Sequence, residues 1–211
     1  MTSSKIKTTA MAGAALLLVA AITSMVILRP AKPKYSPPQQ LGQGAVDRST
    51  PRGALLVMVN AMWNGDAQKY VESFEFTSNE ELKLKATLER VVAANARFKR
   101  AVSDKFGAAA ADAIVSSLPL MASPELIDSA AEKLEGDSAT LALGNGPPVQ
   151  LSKVDGEWMA TVEGVFHMKL SVMDQILSQA IGALDETSAG IRRNKYQTTT
   201  EAVNAMIRKA R

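Results

Sequence analysis

His167 is the one histidine in the chain. An imidazole becomes a useful base near neutral pH when a carboxylate orients it. From Trp158 to Lys169 the sequence alternates: Trp158, Ala160, Val162, Gly164, Phe166 and Met168 against Thr161, Glu163, His167 and Lys169. A strand of period two then places Glu163 on the same polar face as His167, two pleats away. Glu163 and His167 are the nearest approach to a catalytic pair, and no other residue supports them. His167 is therefore read as a sheet-face histidine, and no catalytic set is assigned. The apolar face carries no carboxylate, which argues against an isomerase-like dyad.

A second constellation is basic. Arg97, Lys99, Arg100 and Lys105 cluster around Phe98, and Lys83, Lys85 and Arg90 precede them on one predicted helix. Such a patch could hold a phosphate or an acidic partner. Glu89 and Asp104 lie among these cations, so a solvated helix face is the preferred reading. With no cysteine there is no thiolate chemistry, no disulfide and no zinc-finger spacing. No GxGxxG precedes a helix, and P-loop, HExxH and GxSxG motifs are absent. No metal site and no cofactor are expected.

The elements that would position these residues begin beyond an apolar segment. Lys5 and Lys7 precede Thr8–Leu28, which has no charged residue. At about 1.5 Å per residue this helix would span roughly 30 Å, the thickness of a bilayer's hydrocarbon core. Residues 1–28 are read as a signal anchor or transmembrane helix. Cleavage after Ala21 would instead release a secreted protein. The charge count, Lys5 and Lys7 against Arg29, Lys32 and Lys34, slightly favours a cytoplasmic domain. Signal-type segments with short basic tails, however, usually keep the tail inside, so a single-pass bacterial inner-membrane protein with its domain in the periplasm or extracytoplasmic space is expected. Residues 29–49 form a Pro-rich linker, with Pro30, Pro33, Pro37 and Pro38 stiffening its first half.

The anchor and linker also explain the charge. The full chain carries +3, but residues 1–50 hold six basic side chains and one acidic. That leaves 18 basic and 20 acidic residues from 51 to 211, a balance of −2. Nothing in this composition points to nucleic acid.

Thr50-Pro51 reads as N-cap and first helical residue, with Leu55, Met58, Val59 and Met62 on one stripe. Gly65 suits the C′ position, and Asp66 caps a short helix carrying Tyr70, Val71 and Phe74. Thr77-Ser78-Asn79-Glu80 reads as a capping box opening a long helix to about Lys105. Ala108–Ser117 and the residues after Ser123 are predicted to be helical. Near Glu132 the period switches to two; Ala139, Leu141 and Leu143 alternate, and Pro148–Val154 forms a second strand. Asp155-Gly156 marks a hairpin, and the Trp158–Lys169 alternation is its return strand. Helical periodicity returns from Ser171 to Ile191 and again from Thr199.

The start Pro51, Ala54-Leu55, Ala61, Asn64-Gly65-Asp66, Tyr70 and Phe74, with Asp137–Thr140 and Leu151–Trp158 later, resembles NTF2-like (SnoaL-like) domains. The resemblance covers roughly 51–163, and its motifs are structural. It implies an α+β fold over 50–170, helices packed on a curved antiparallel sheet of three to four strands, often around a cone-shaped pocket. Residues 171–211 would add a C-terminal helical extension. Some NTF2-like enzymes use an aspartate or histidine deep in the pocket, but Asp66, Asp137 and Asp155 fall at turns or caps. Such domains are common in small anchored envelope proteins. The expectation is therefore a non-enzymatic, membrane-anchored binding domain for a partner protein or a small apolar ligand. An assembly subunit of an envelope or secretion complex, and a pocket isomerase or hydrolase, are the alternatives.

Overall fold

Thr50 caps the first helix, accepting from the Gly53 amide at 3.1 Å, and Pro51 occupies the position where a missing N–H costs nothing. In the computed structural model, residues 47–116, 124–144 and 146–210 are described. The predicted anchor at 1–28 and all but the last three residues of the linker lie outside them. Among the described residues no helix is long and apolar enough to cross a membrane.

Helix α1 (Pro51–Asn64) ends at Gly65, whose φ of 72° is the left-handed value glycine tolerates best. Asp66 caps α2 (Ala67–Val71) by accepting from the Lys69 amide at 3.0 Å. Phe74 is not part of that helix. It lies in a two-residue strand, β1 (Phe74–Glu75), parallel to a strand far along the chain. The capping box is displaced by one residue from its predicted place. Ser78 is the N-cap of α3 (Asn79–Phe106), and Glu81, not Glu80, reciprocates by accepting from the Ser78 amide at 3.1 Å. Glu81 also takes the Thr77 amide and hydroxyl, which explains a carboxylate only 7 % exposed.

After α4 (Ala108–Ser116) and α5 (Pro124–Asp128) come three antiparallel hairpin partners and a fourth strand. These are β2 (Ala131–Glu135), β3 (Ser138–Ala142), β4 (Val149–Val154) and β5 (Glu157–Thr161). The sheet is five-stranded and mixed, in the order β1-β5-β4-β3-β2. It therefore has more strands than the three to four predicted, and β1 makes it not purely antiparallel. The predicted hairpin at Asp155-Gly156 forms with both residues at positive φ, 50° and 87°, as a type I′ turn requires. The inner face of the sheet carries Leu141, Leu151, Trp158 and Ala160, all buried against the α1 side.

The return strand stops earlier than its alternation suggests. β5 ends at Thr161, whose hydroxyl caps a short helix, α6 (Val162–Phe166), by accepting from the Gly164 amide at 3.2 Å. The alternation persists past the strand because Val162, Gly164 and Phe166 are buried in α6 as well. Gly164 marks a close approach. A Cβ there would lie 2.5 Å from the Gln150 Cβ and 2.3 Å from the Thr161 hydroxyl oxygen.

α7 (Leu170–Arg192) packs along α3. Thr87, Arg97 and Lys105 meet Asp174, Asp185 and the Tyr196 carbonyl in that order, so the two long helices run parallel. Met173, Leu177, Ile181, Leu184 and Ile191 are buried on the predicted face and join the same core cluster as the sheet. Asn194, at φ 58°, breaks the helix, and Thr198 caps α8 (Thr199–Lys209). Gly190 leaves room for the Tyr196 ring, which a Cβ would meet at 2.6 Å.

Candidate functional site

The predicted pair does not share a strand face. Glu163 lies in the first turn of α6, and His167 is its C-terminal cap at φ 51°, donating its backbone N–H to the Glu163 carbonyl at 2.8 Å. Both side chains are exposed. The geometry gives His167 a helix-ending task in the left-handed region, where histidine is one of the better tolerated residues.

The four basic residues of the α3 cluster diverge around the helix. Arg97 forms a two-pronged pair with Asp185, with Nη2 at 2.8 and 3.0 Å from its two oxygens. Lys99 pairs with Asp112 at 3.2 Å and lies 5.5 Å over the Trp63 ring. Lys105 donates to the Tyr196 carbonyl at 2.5 Å, closing the end of the α3–α7 pair. Arg100 is exposed and joins none of these contacts. Three of the four cations thus hold elements together rather than converge on one ligand.

The aspartates occupy local positions. Asp66 caps α2, Asp155 is a central turn residue, and the Asp137 carbonyl accepts from the Lys153 amide at 2.8 Å. Burial pushes the Tyr70 phenol above its ordinary pKa, in an aromatic cluster where Phe74 stands 5.2 Å from it, edge to face. Among the described residues no group of three or more metal-ligating side chains comes together.

The edge strand β2 lies where the period of two begins, near Glu132, but the sequence does not mark it as a free edge. All five of its residues are exposed, and Leu134 shows 56 % of its surface to solvent. Its sequence, Ala-Glu-Lys-Leu-Glu, carries too little apolar character to mark a strand of its own ahead of Ala139–Leu143. The available clue was Gly136-Asp137, a two-residue turn with glycine first, at φ 61°. That turn fixes the hydrogen-bond phase of β2. The flanking residues Glu135 and Ser138 face each other across it, and the register continues as Leu134–Ala139 and Lys133–Thr140. In an antiparallel ladder bonded and non-bonded pairs alternate. Glu135 and Lys133 therefore bond inward to β3, while the amides and carbonyls of Leu134 and Glu132 point away from the sheet. No described residue meets them.

The charges along this edge are arranged within the chain. Lys133 Nζ lies 2.6 Å from Glu135, on one face of the strand. On the other face Glu132 pairs with Arg52 of α1 at 3.5 Å, and Arg52 also donates to the Ala130 carbonyl at 2.8 Å. Arg52 thereby fixes the start of β2 to the helix layer. No family model, curated protein or solved structure matches this chain.

Proposed function

We propose that this protein is a non-enzymatic, membrane-anchored interaction domain held outside the cytoplasm, and that it binds a partner protein by strand addition at β2. The free edge of the sheet carries this reading. A strand whose outward amide and carbonyl groups have no partner among the described residues is a template for another strand, and the pockets between its side chains give selectivity. The titratable residues support the non-enzymatic part. Those with suitable chemistry are engaged in caps, turns and ion pairs rather than directed into a common space.

The anchored, extracytoplasmic setting rests on the sequence before residue 29, where Lys5 and Lys7 precede the uncharged run to Leu28. An NTF2-like fold is part of the same proposal. It draws support from the element order of two helices, a short strand, a long helix followed by two shorter ones, and then antiparallel hairpins.

The test places a photoreactive phenylalanine analogue at position 134 in living cells. The same substitution at Leu82, 53 % exposed on α3, is the matched control. The proposal expects a discrete protein adduct from position 134 and none from position 82. Equal, diffuse labelling at both positions would overturn it. Intact mass of the mature chain tests the anchor, since cleavage after Ala21 leaves Ile22 as the first residue.

A further inference from the structure

We infer that the partner at the β2 edge is a second copy of this chain, paired antiparallel about a two-fold axis through Leu134. The inference rests on the reading of β2 as an interaction edge and names its occupant.

The hydrogen-bond phase comes first. Leu134 has its amide and carbonyl turned outward, so two copies related by a two-fold at this residue exchange two N–H···O=C bonds, Leu134 to Leu134. The two leucine side chains then lie side by side on the same face. Each is 56 % exposed in the single chain, the most exposed of the large apolar side chains among the described residues.

Charge then selects the register. With the axis at Leu134, Lys133 of each copy stands directly opposite Glu135 of the other, in the closer, non-bonded type of site. Two opposite-charge contacts form at once, from side chains already adjacent at 2.6 Å within each strand. The competing register has its axis at Lys133 and retains four backbone bonds. It sets Lys133 against Lys133 in the close site, which cross-strand pairing disfavours, and Leu134 against Glu132. A two-fold interface requires a self-complementary patch, and the run Lys133-Leu134-Glu135 inverts onto itself with opposite charges facing.

Edge strands that resist pairing are short or use proline, bulges or charged side chains, lysine especially. β2 has no proline, and its register against β3 runs without a bulge. Glu132 and Lys133 are each compensated by an ion pair within the chain. The contact is short, because Gly136 turns away, so the association is weak. A trapping measurement suits it better than a bulk one.

The absence of cysteine makes that measurement clean. Leu134→Cys and, separately, Leu82→Cys are introduced into the full chain, purified, and treated with a short homobifunctional thiol crosslinker. The inference expects covalent dimer from Leu134→Cys at least about tenfold faster than from Leu82→Cys. In the Leu134→Cys background, Lys133→Glu should slow trapping by about tenfold, since it opposes like charges twice. Adding Glu135→Lys should restore it. Equal trapping at positions 134 and 82 would overturn the second-copy assignment. Faster trapping at 134 that ignores both charge reversals would overturn the register. If purified chains fail to pair while position 134 gives an adduct to a different protein in cells, the interaction edge stands and the second copy does not.

Discussion

The two edges of the sheet are treated in opposite ways. On the β1 side the aromatic side chains are buried and the outer amides of β5 are engaged. Phe74 is 2 % exposed and lies among Tyr70, Phe76 and Phe166, with ring centroids 5.2 to 6.2 Å away. The outer amides of β5 are also taken, Trp158 by the Arg48 carbonyl at 2.8 Å and Ala160 by the Ser73 carbonyl at 2.9 Å. The chain thus enters the domain by sealing this edge. On the β2 side no described residue bonds the outward groups of the strand, and Arg52 holds its start. One edge is core and the other is surface with the geometry of core. The difference separates residues that make the fold from residues available for function.

The contrast can be broken from the closed side first. Phe74→Ala should destabilise by about 3–5 kcal/mol, as for other buried aromatics, read from the denaturant midpoint. Gly164→Ala, which drives a Cβ into Gln150 and Thr161 where α6 leaves β5, should cost about 1–3 kcal/mol by the same method. Tyr70 gives a pH test of the same edge. Its folded pKa is raised by burial, so its contribution is intact below the ordinary phenol value of about 10. Stability should decline as pH rises beyond that value, because only the unfolded chain ionises. Tyr70→Phe should flatten this alkaline decline in thermal melts.

On the open side the effects should be smaller. Arg52→Ala should cost about 1 kcal/mol and speed amide exchange at the start of β2, because the Ala130 carbonyl and Glu132 lose their partner. Leu134→Ala should change stability by less than about 0.5 kcal/mol in dilute solution. A large loss there would mean that Leu134 belongs to the core and that the two edges are not different in kind.

The sequence made the closed parts of the fold legible because caps and turns are local. Thr50-Pro51, Gly65-Asp66, Asp155-Gly156 and the Asn194 break all lie where residue chemistry places them. The errors came where tertiary contact decides. β1 is two residues long, and its pairing with β5 spans most of the domain, so no window of sequence contains it. The strand is shorter than its alternation implies because burial alternates through Val162, Gly164 and Phe166 in helix and strand alike. Thr161 followed by Glu163 was the helix-start signal available there. The capping box slipped by one because Thr77 and Ser78 are both good caps, and the Glu81 contacts decide between them.

The candidate site was less legible than the fold. His167 and Glu163 drew notice by their chemistry, yet the fold gives His167 a helix end and leaves both exposed. The basic side chains on α3 looked like a patch, whereas three of them bind α7, α4 and the α7–α8 turn. β2 lies where the period of two begins, yet its side chains are those of a solvated loop and do not mark it as a free edge. What distinguishes it is the direction of its backbone groups, which follows from the turn at Gly136-Asp137 and from which element stands at the end of the sheet.

Amide hydrogen exchange at Leu134 tests this account most directly. In dilute monomer its outward N–H should exchange at close to the unprotected rate, while Lys133 and Glu135, bonded to β3, exchange slowly. In the native membrane, or at high concentration of the full chain, the Leu134 amide should slow selectively as the edge is paired. Unprotected exchange at Leu134 under every condition would contradict the claim that β2 is the edge through which this protein acts.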